Sequence, residues 1–289
     1  ISVEAGRDIT TKDIYSSSIS FKDNLGNGGA ISVEASGDIK TQSLNSFSYS
    51  EEGNSEKGEN IFLKAGSHLN TVDLNSFSIS FKGNSNNGGE IFLKAGDHIT
   101  TENLNSYSYS EERNSGQGGG IVLEAGSYII PVIEQQLTIN TFALGRNNSG
   151  EGGKVNIITN NLSNTDILTL SSHSESGEVR IKSQPQGKLL LNNSSIITSK
   201  KVIIKFGGET IHQIDLEDTK GKSGPVFIIS SGDLDFNNVR IQSDTKGDQS
   251  AGEVNIESPG QISLNNTQIL STTNAKGNAG KITITTPQK

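Results

Sequence analysis

Residues 61–90 read IFLKAGSHLNTVDLNSFSISFKGNSNNGGE and residues 91–120 read IFLKAGDHITTENLNSYSYSEERNSGQGGG. The two align without a gap, and residues 1–30 and 31–60 are two further copies of the same 30-residue unit. Phe21-Lys22 and Phe81-Lys82 alternate with Glu51-Glu52 and Glu111-Glu112, so a period of 60 lies over the period of 30, as two successive duplications would leave it. Inside each unit the period is two: Ile31, Val33 and Ala35 alternate with Ser32 and Glu34, and this is the pattern of a half-buried strand. Ser, Thr, Asn, Gly and β-branched residues dominate, which disfavours helix throughout.

Working outward, IVLEAG at 121–126 opens a fifth unit, and similar openings recur as VNIIT at 155, VRIKS at 179, VIIKF at 202, VFIIS at 226 and VNIES at 254. Three alternating runs per unit, each unit ending in a Gly/Asn-rich loop, predict an all-β chain. The fold expected is a right-handed parallel β-helix, a solenoid of about ten coils with three short strands per coil. It is read as one continuous solenoid in three stretches: four regular 30-residue repeats over 1–120, irregular coils over 121–225, and regular 28-residue repeats over 226–289.

Coils stacked about 4.8 Å apart place equivalent residues above one another. The expected inward columns are Ile1/Ile31/Ile61/Ile91/Ile121, Val3/Val33/Leu63/Leu93/Leu123 and Ile14/Leu44/Leu74/Leu104. Each buried aliphatic contributes about 1.5–3 kcal/mol, so a stack holds where a single coil would not. On the outside, Lys22, Glu52, Lys82 and Glu112 alternate in sign, and Glu34 beside Lys64 and Lys94 beside Glu124 are opposite-charge neighbours. Asn192-Asn193, Asn237-Asn238 and Asn265-Asn266 fall at one corner, where Asn tolerates a left-handed backbone. The loops 23–29, 53–59, 83–89 and 113–119 are expected to be mobile fringes that bury little.

Composition narrows the function. The 289 residues carry Lys+Arg 24 against Asp+Glu 32, a formal charge of −8, with 33 Gly, no Cys and no Met. The acidic balance with no basic cluster argues against nucleic acid. The absence of Cys excludes disulfides, thiolate metal sites and a cysteine nucleophile. No run approaches the roughly 18 apolar residues of a membrane helix, and no signal peptide opens the chain. Lacking Met and beginning and ending in mid-pattern, the chain is expected to be an excerpt of a longer protein.

Residues 250–287, SAGEVNIESPGQISLNNTQILSTTNAKGNAGKITITTP, carry Gly277-Asn278-Ala279-Gly280 ahead of Ile282-Thr283-Ile284-Thr285, and Ile262-Ser263-Leu264-Asn265-Asn266 in the second strand. In these elements the region 226–289 resembles the repeats of cyanobacterial filamentous-haemagglutinin-type exoproteins, which leave the cell by two-partner secretion. The likeness weakens over 121–225, and the 30-residue copies of 1–120 share only the GG-x-I-x-(V/L)-x-A-G opening. The resemblance implies an extracellular or cell-surface location, export through a dedicated outer-membrane β-barrel transporter, and service as an adhesin or surface fibre.

The most regular polar feature is three columns of serine: Ser16, Ser46, Ser76 and Ser106; Ser18, Ser48, Ser78 and Ser108; Ser20, Ser50, Ser80 and Ser110. With Phe47 and Tyr49 inward, these hydroxyls would tile a flat outer strip, a contact ladder for glycan, a neighbouring fibre or ice, or simply a solvated face. His68 and His98 stack at one corner near Asp8, Asp38 and Asp97, but the spacing fixes no third metal ligand, and the column reads as an exposed corner. The P-loop reading of Gly221-Lys222-Ser223 fails because Leu216 stands where the motif needs glycine. Asp215, Glu217 and Asp218, or Asp233 and Asp235, are the carboxylates a polysaccharide-processing β-helix would use. Adjacent carboxylates are equally expected on a solvated acidic surface. The sequence therefore points first to a non-enzymatic fibre or adhesin shaft with no catalytic residue, cofactor or metal. The alternatives are a polysaccharide-processing enzyme and a passive spacer carrying an effector elsewhere.

Overall fold

A computed structural model describes residues 1–132, 136–198, 221–245, 248–273 and 276–287, with the backbone of 202–206 and 209–214. Among the described residues there is no helix, and parallel strands stack in sheets that run along one axis. The first sheet has ten strands in chain order, from Ser2–Ala5 through Ile31–Ala35, Ile61–Ala65, Ile91–Ala95 and Ile121–Ala125 to Ile282–Thr285. Each strand takes one level of the stack, and the register is that of the repeat: Ile31 lies on Ile61, Val33 on Leu63, Ala35 on Ala65. The chain is a parallel β-solenoid.

The alternation explains the core. Ile31, Val33, Leu44, Ile61, Leu63 and Leu74 are all buried, and a single apolar cluster runs from Ile9 to Ile256 through every coil between. Lys22, Glu52, Lys82 and Glu112 are exposed. The surface pairs form as the columns require: Lys64 with Glu34 at 3.2 Å, Lys94 with Glu124 at 2.7 Å, Lys82 with Glu52 at 2.9 Å. Exposed pairs of this kind contribute about 0–1 kcal/mol, so they favour one register over its neighbours more than they stabilise.

Two features depart from the expected plan. In the N-terminal coils the second run is divided, giving four short strands, as in Ile31–Ala35, Ile39–Lys40, Ser43–Asn45 and Ser48–Ser50. Further on, the two middle strands merge into the long bent strands Leu189–Ile197 and Leu234–Gln242. The opening expected at 202 is not a coil. Val202–Phe206 pairs antiparallel with Glu209–Ile214, while Val179–Lys182 lies directly on Val226–Ile229, so the hairpin is an insertion within one coil. Gly207-Gly208 between two strand-forming runs is a hairpin signal, and it outweighs the resemblance of VIIKF to a coil opening.

The asparagine corner forms. Asn193, Asn238 and Asn266 have φ of 47°, 56° and 47°, and Asn164 joins them at 50°. Their amides link coil to coil: Asn193 Nδ2 donates to Asn164 Oδ1 at 3.2 Å, Asn238 Nδ2 to Asn193 Oδ1 at 2.9 Å, and Asn266 Nδ2 to Asn238 Oδ1 at 2.9 Å. An L-residue without a local polar group loses about 1–2 kcal/mol in this conformation. Asn238→Ala is therefore expected to destabilise by about that much. Asn238→Gly should cost less, because glycine enters the left-handed region freely. Urea unfolding of the two variants checks the order; equal losses would assign the whole effect to the amide ladder.

Candidate functional site

The serine columns are buried. Ser46, Ser48, Ser50, Ser76, Ser78, Ser80, Ser106, Ser108 and Ser110 are at most 1% exposed, which removes the outer contact strip that alternation suggested. The reason lies in the loops. Ser46 Oγ donates to Gly29 O at 2.7 Å, Ser80 Oγ to Gly53 O at 2.7 Å, Ser110 Oγ to Gly83 O at 2.8 Å, and Ser108 Oγ to Asn86 O at 2.6 Å. The same hydroxyls accept from loop amides, as Ser80 Oγ does from Gly83 N at 2.9 Å. The loops thus fold over the serine face of the strand, and the hydroxyls satisfy backbone groups that would otherwise be buried without partners. Each of these serines reads a carbonyl of the coil before its own, so Ser16, Ser18 and Ser20 in the first coil are only half-buried.

Nor are the loops a fringe. They stack through backbone bonds, with Gly28 N donating to Lys57 O, Gly58 N to Asn87 O and Gly88 N to Gln117 O at 3.0–3.1 Å. Beside the fourth strand of these coils (Ser48–Ser50, Ser78–Ser80, Ser108–Ser110) lies a second apolar cluster built on an aromatic column. Phe47 stacks on Phe77 with centroids 4.6 Å apart, Phe77 on Tyr107 at 5.0 Å, and Tyr107 on Phe142 at 4.2 Å. Burial pushes the Tyr107 phenol well above its usual range.

Chemistry-bearing side chains do converge at the turn between the first and second strands. Asp8, Asp38, His68, His98 and Tyr128 occupy one column there. Asp8 Oδ1 accepts from the Asp38 amide at 2.8 Å, and Asp38 Oδ1 accepts from the His68 amide at 3.0 Å. Asp38 Oδ1 also lies 2.9 Å from His68 Nδ1. His98 stacks on Tyr128 at 4.6 Å with the planes 7° apart, and His68 leans on His98 at 4.1 Å. Asp97, one residue aside, brings Oδ2 to 3.2 Å from His68 Nε2 and 3.3 Å from His98 Nδ1. Hydrogen bonds from the His68 amide and ring hold the Asp38 carboxyl below the usual range, and the Ser127 hydroxyl and His98 do so for Asp97. His68, Asp97 and His98 each offer one ligand atom, all within 4.8 Å of one another.

Of the carboxylates named for the alternative enzyme reading, Asp233 and Asp235 lie on either side of the buried Leu234. Asp233 pairs with Lys188 at 3.1 Å and accepts from the Gln261 amide at 3.1 Å, which hold its carboxyl below the usual range, while Asp235 is exposed. Asp215, Glu217 and Asp218 lie outside the described residues. Comparison with known proteins gives no matching family model, no matching curated protein and no matching solved structure.

Proposed function

We propose that this chain is a shaft segment of a non-enzymatic extracellular fibre or adhesin, working through length and repeated weak contacts. The observation that carries the reading is the ten-strand first sheet in strict chain order, one strand per level, which makes a rod whose length follows the number of repeats. The exposed large apolar residues fall in the end coils: Ile1, Val3, Tyr15, Ile19 and Phe21 at one end, Leu264, Ile282 and Ile284 at the other. Most continue columns that are buried in the coils between, so a further coil on either end would bury them. Self-association end to end would do the same.

The likeness of 226–289 to filamentous-haemagglutinin-type repeats supports an extracellular or cell-surface location and export through an outer-membrane β-barrel transporter. A glycan or other cell-surface ligand would then meet the polar lateral faces, where many feeble contacts sum. Electron microscopy of the source cells and their medium, labelled with antibody to this chain, is expected to show filaments. The purified rod should leave acidic and neutral glycans uncleaved. A compact soluble particle that turns over a polysaccharide would overturn the reading.

A further inference from the structure

We infer that His68, Asp97 and His98 form a binding site for a borderline divalent transition-metal ion, zinc being the natural occupant, which ties two successive coils together. The ligand set comes from both coils: His68 belongs to the unit 61–90, Asp97 and His98 to the unit 91–120. Two imidazoles and one carboxylate are the donors zinc prefers where cysteine is absent.

The geometry is that of a shared centre. Asp97 Oδ2 lies 3.2 Å from His68 Nε2 and 3.3 Å from His98 Nδ1. Ligands bound at about 2.0–2.2 Å sit about 3–3.5 Å from one another, so both pairs already have the required separation. The two imidazole nitrogens are within 4.8 Å, which a small ring rotation closes.

The surroundings orient each donor. His68 Nδ1 faces Asp38 Oδ1 at 2.9 Å; an N–H donated there turns the lone pair of Nε2 toward Asp97. This carboxylate–histidine arrangement is the one that fixes the tautomer of metal-bound histidine. Asp38 is itself oriented by the His68 amide at 3.0 Å, and His98 is clamped between His68 and the Tyr128 ring. The column is half-exposed, so solvent supplies the remaining coordination positions.

The chain, stripped with chelator and titrated with ZnCl2 by calorimetry, is expected to bind one equivalent. CoCl2 should give the visible absorption of cobalt bound by nitrogen. His68→Phe and His98→Phe keep a ring in the stack and remove the imidazole nitrogens; each should abolish saturable binding, with the strand signal in circular dichroism unchanged. Asp38→Asn should weaken zinc by about 10–100-fold, the usual effect of losing an orienting partner. The double variant His173→Ala/His212→Ala should bind as the unaltered chain does. Zinc should raise the thermal midpoint of the unaltered chain and not that of His98→Phe, since a ligand stabilises only the state that binds it. Absence of saturable binding, survival of binding in His68→Phe and His98→Phe, or its loss in the His173→Ala/His212→Ala variant would each overturn the assignment.

Discussion

Phe77→Ala is expected to destabilise the solenoid by about 3–5 kcal/mol, the range for removing a large aromatic from a packed interior. Phe77 is 3% exposed and lies between Phe47 and Tyr107, so its loss opens a gap with rings on both sides. Neither neighbour can collapse into it, because each ring is held by the spacing of its own coil. The comparison that isolates burial from stacking is Phe62→Ala. Phe62 stacks on Phe92 at 5.0 Å with planes 6° apart, a similar ring geometry, but on the half-exposed outer face of the first sheet. That variant should lose only about 0.5–1.5 kcal/mol, the increment of an aromatic pair beyond area. In a stack where each coil contacts only its neighbours, the Phe77 gap should also uncouple the coils on either side. Thermal unfolding followed by circular dichroism is then expected to broaden or divide for Phe77→Ala and to stay single for Phe62→Ala. Equal losses from the two variants would show that the second apolar cluster is not a core.

The aliphatic columns were legible because a 30-residue repeat and a two-residue alternation specify both level and face. Ile31 over Ile61, or Leu44 over Leu74, requires no further information. The asparagine corner was legible for a similar reason: Asn238 is the residue type that accepts φ of 56° and can bond along the stack. The serines misled because alternation distinguishes two faces without saying what covers the second. A small hydroxyl suits water and suits a loop carbonyl equally, and only the path of the Gly/Asn-rich loop decides between them. The histidine cluster was half legible. The column Asp38/His68/His98 follows from the repeat, whereas Asp97 stands in the adjacent column, over Ser67 and under Ser127, and joins the site by side-chain direction. The repeat brings Asp97 near the corner, but which of Asp8, Asp38 and Asp97 reaches both rings is set by side-chain direction, which leaves no periodic trace.

The largest effect of the smallest substitution is expected at Gly58. A Cβ there would lie 2.6 Å from Ser76 O, 2.7 Å from Phe77 O and 2.7 Å from Ser76 C, all backbone atoms of the link between the strands Asp73–Asn75 and Ser78–Ser80. None of them can move without disturbing the adjoining strand Ser78–Ser80, which pairs with Ser48–Ser50 and Ser108–Ser110. Gly28 meets the same obstacle, 2.6 Å from Ser46 O and 2.8 Å from Ser46 C, and Gly88, Gly118 and Gly152 continue the column. The requirement is for space, since none of these glycines has a left-handed φ. Overpacking a rigid interior costs about 1–3 kcal/mol and sometimes more. Gly58→Ala should fall in that range and Gly58→Val above it. Gly26 is the internal control: it lies two residues from Gly28 in the same loop, yet a Cβ there meets nothing within 4 Å. Gly26→Ala should be neutral, or stabilising by about 0.4–1 kcal/mol through the unfolded chain. Urea unfolding of the three variants tests whether the loops are part of the packed solenoid. A Gly58→Val chain as stable as Gly26→Ala would mean that the loop lifts from the strand at little cost, returning the buried serines to solvent and restoring the outer strip that alternation alone suggested.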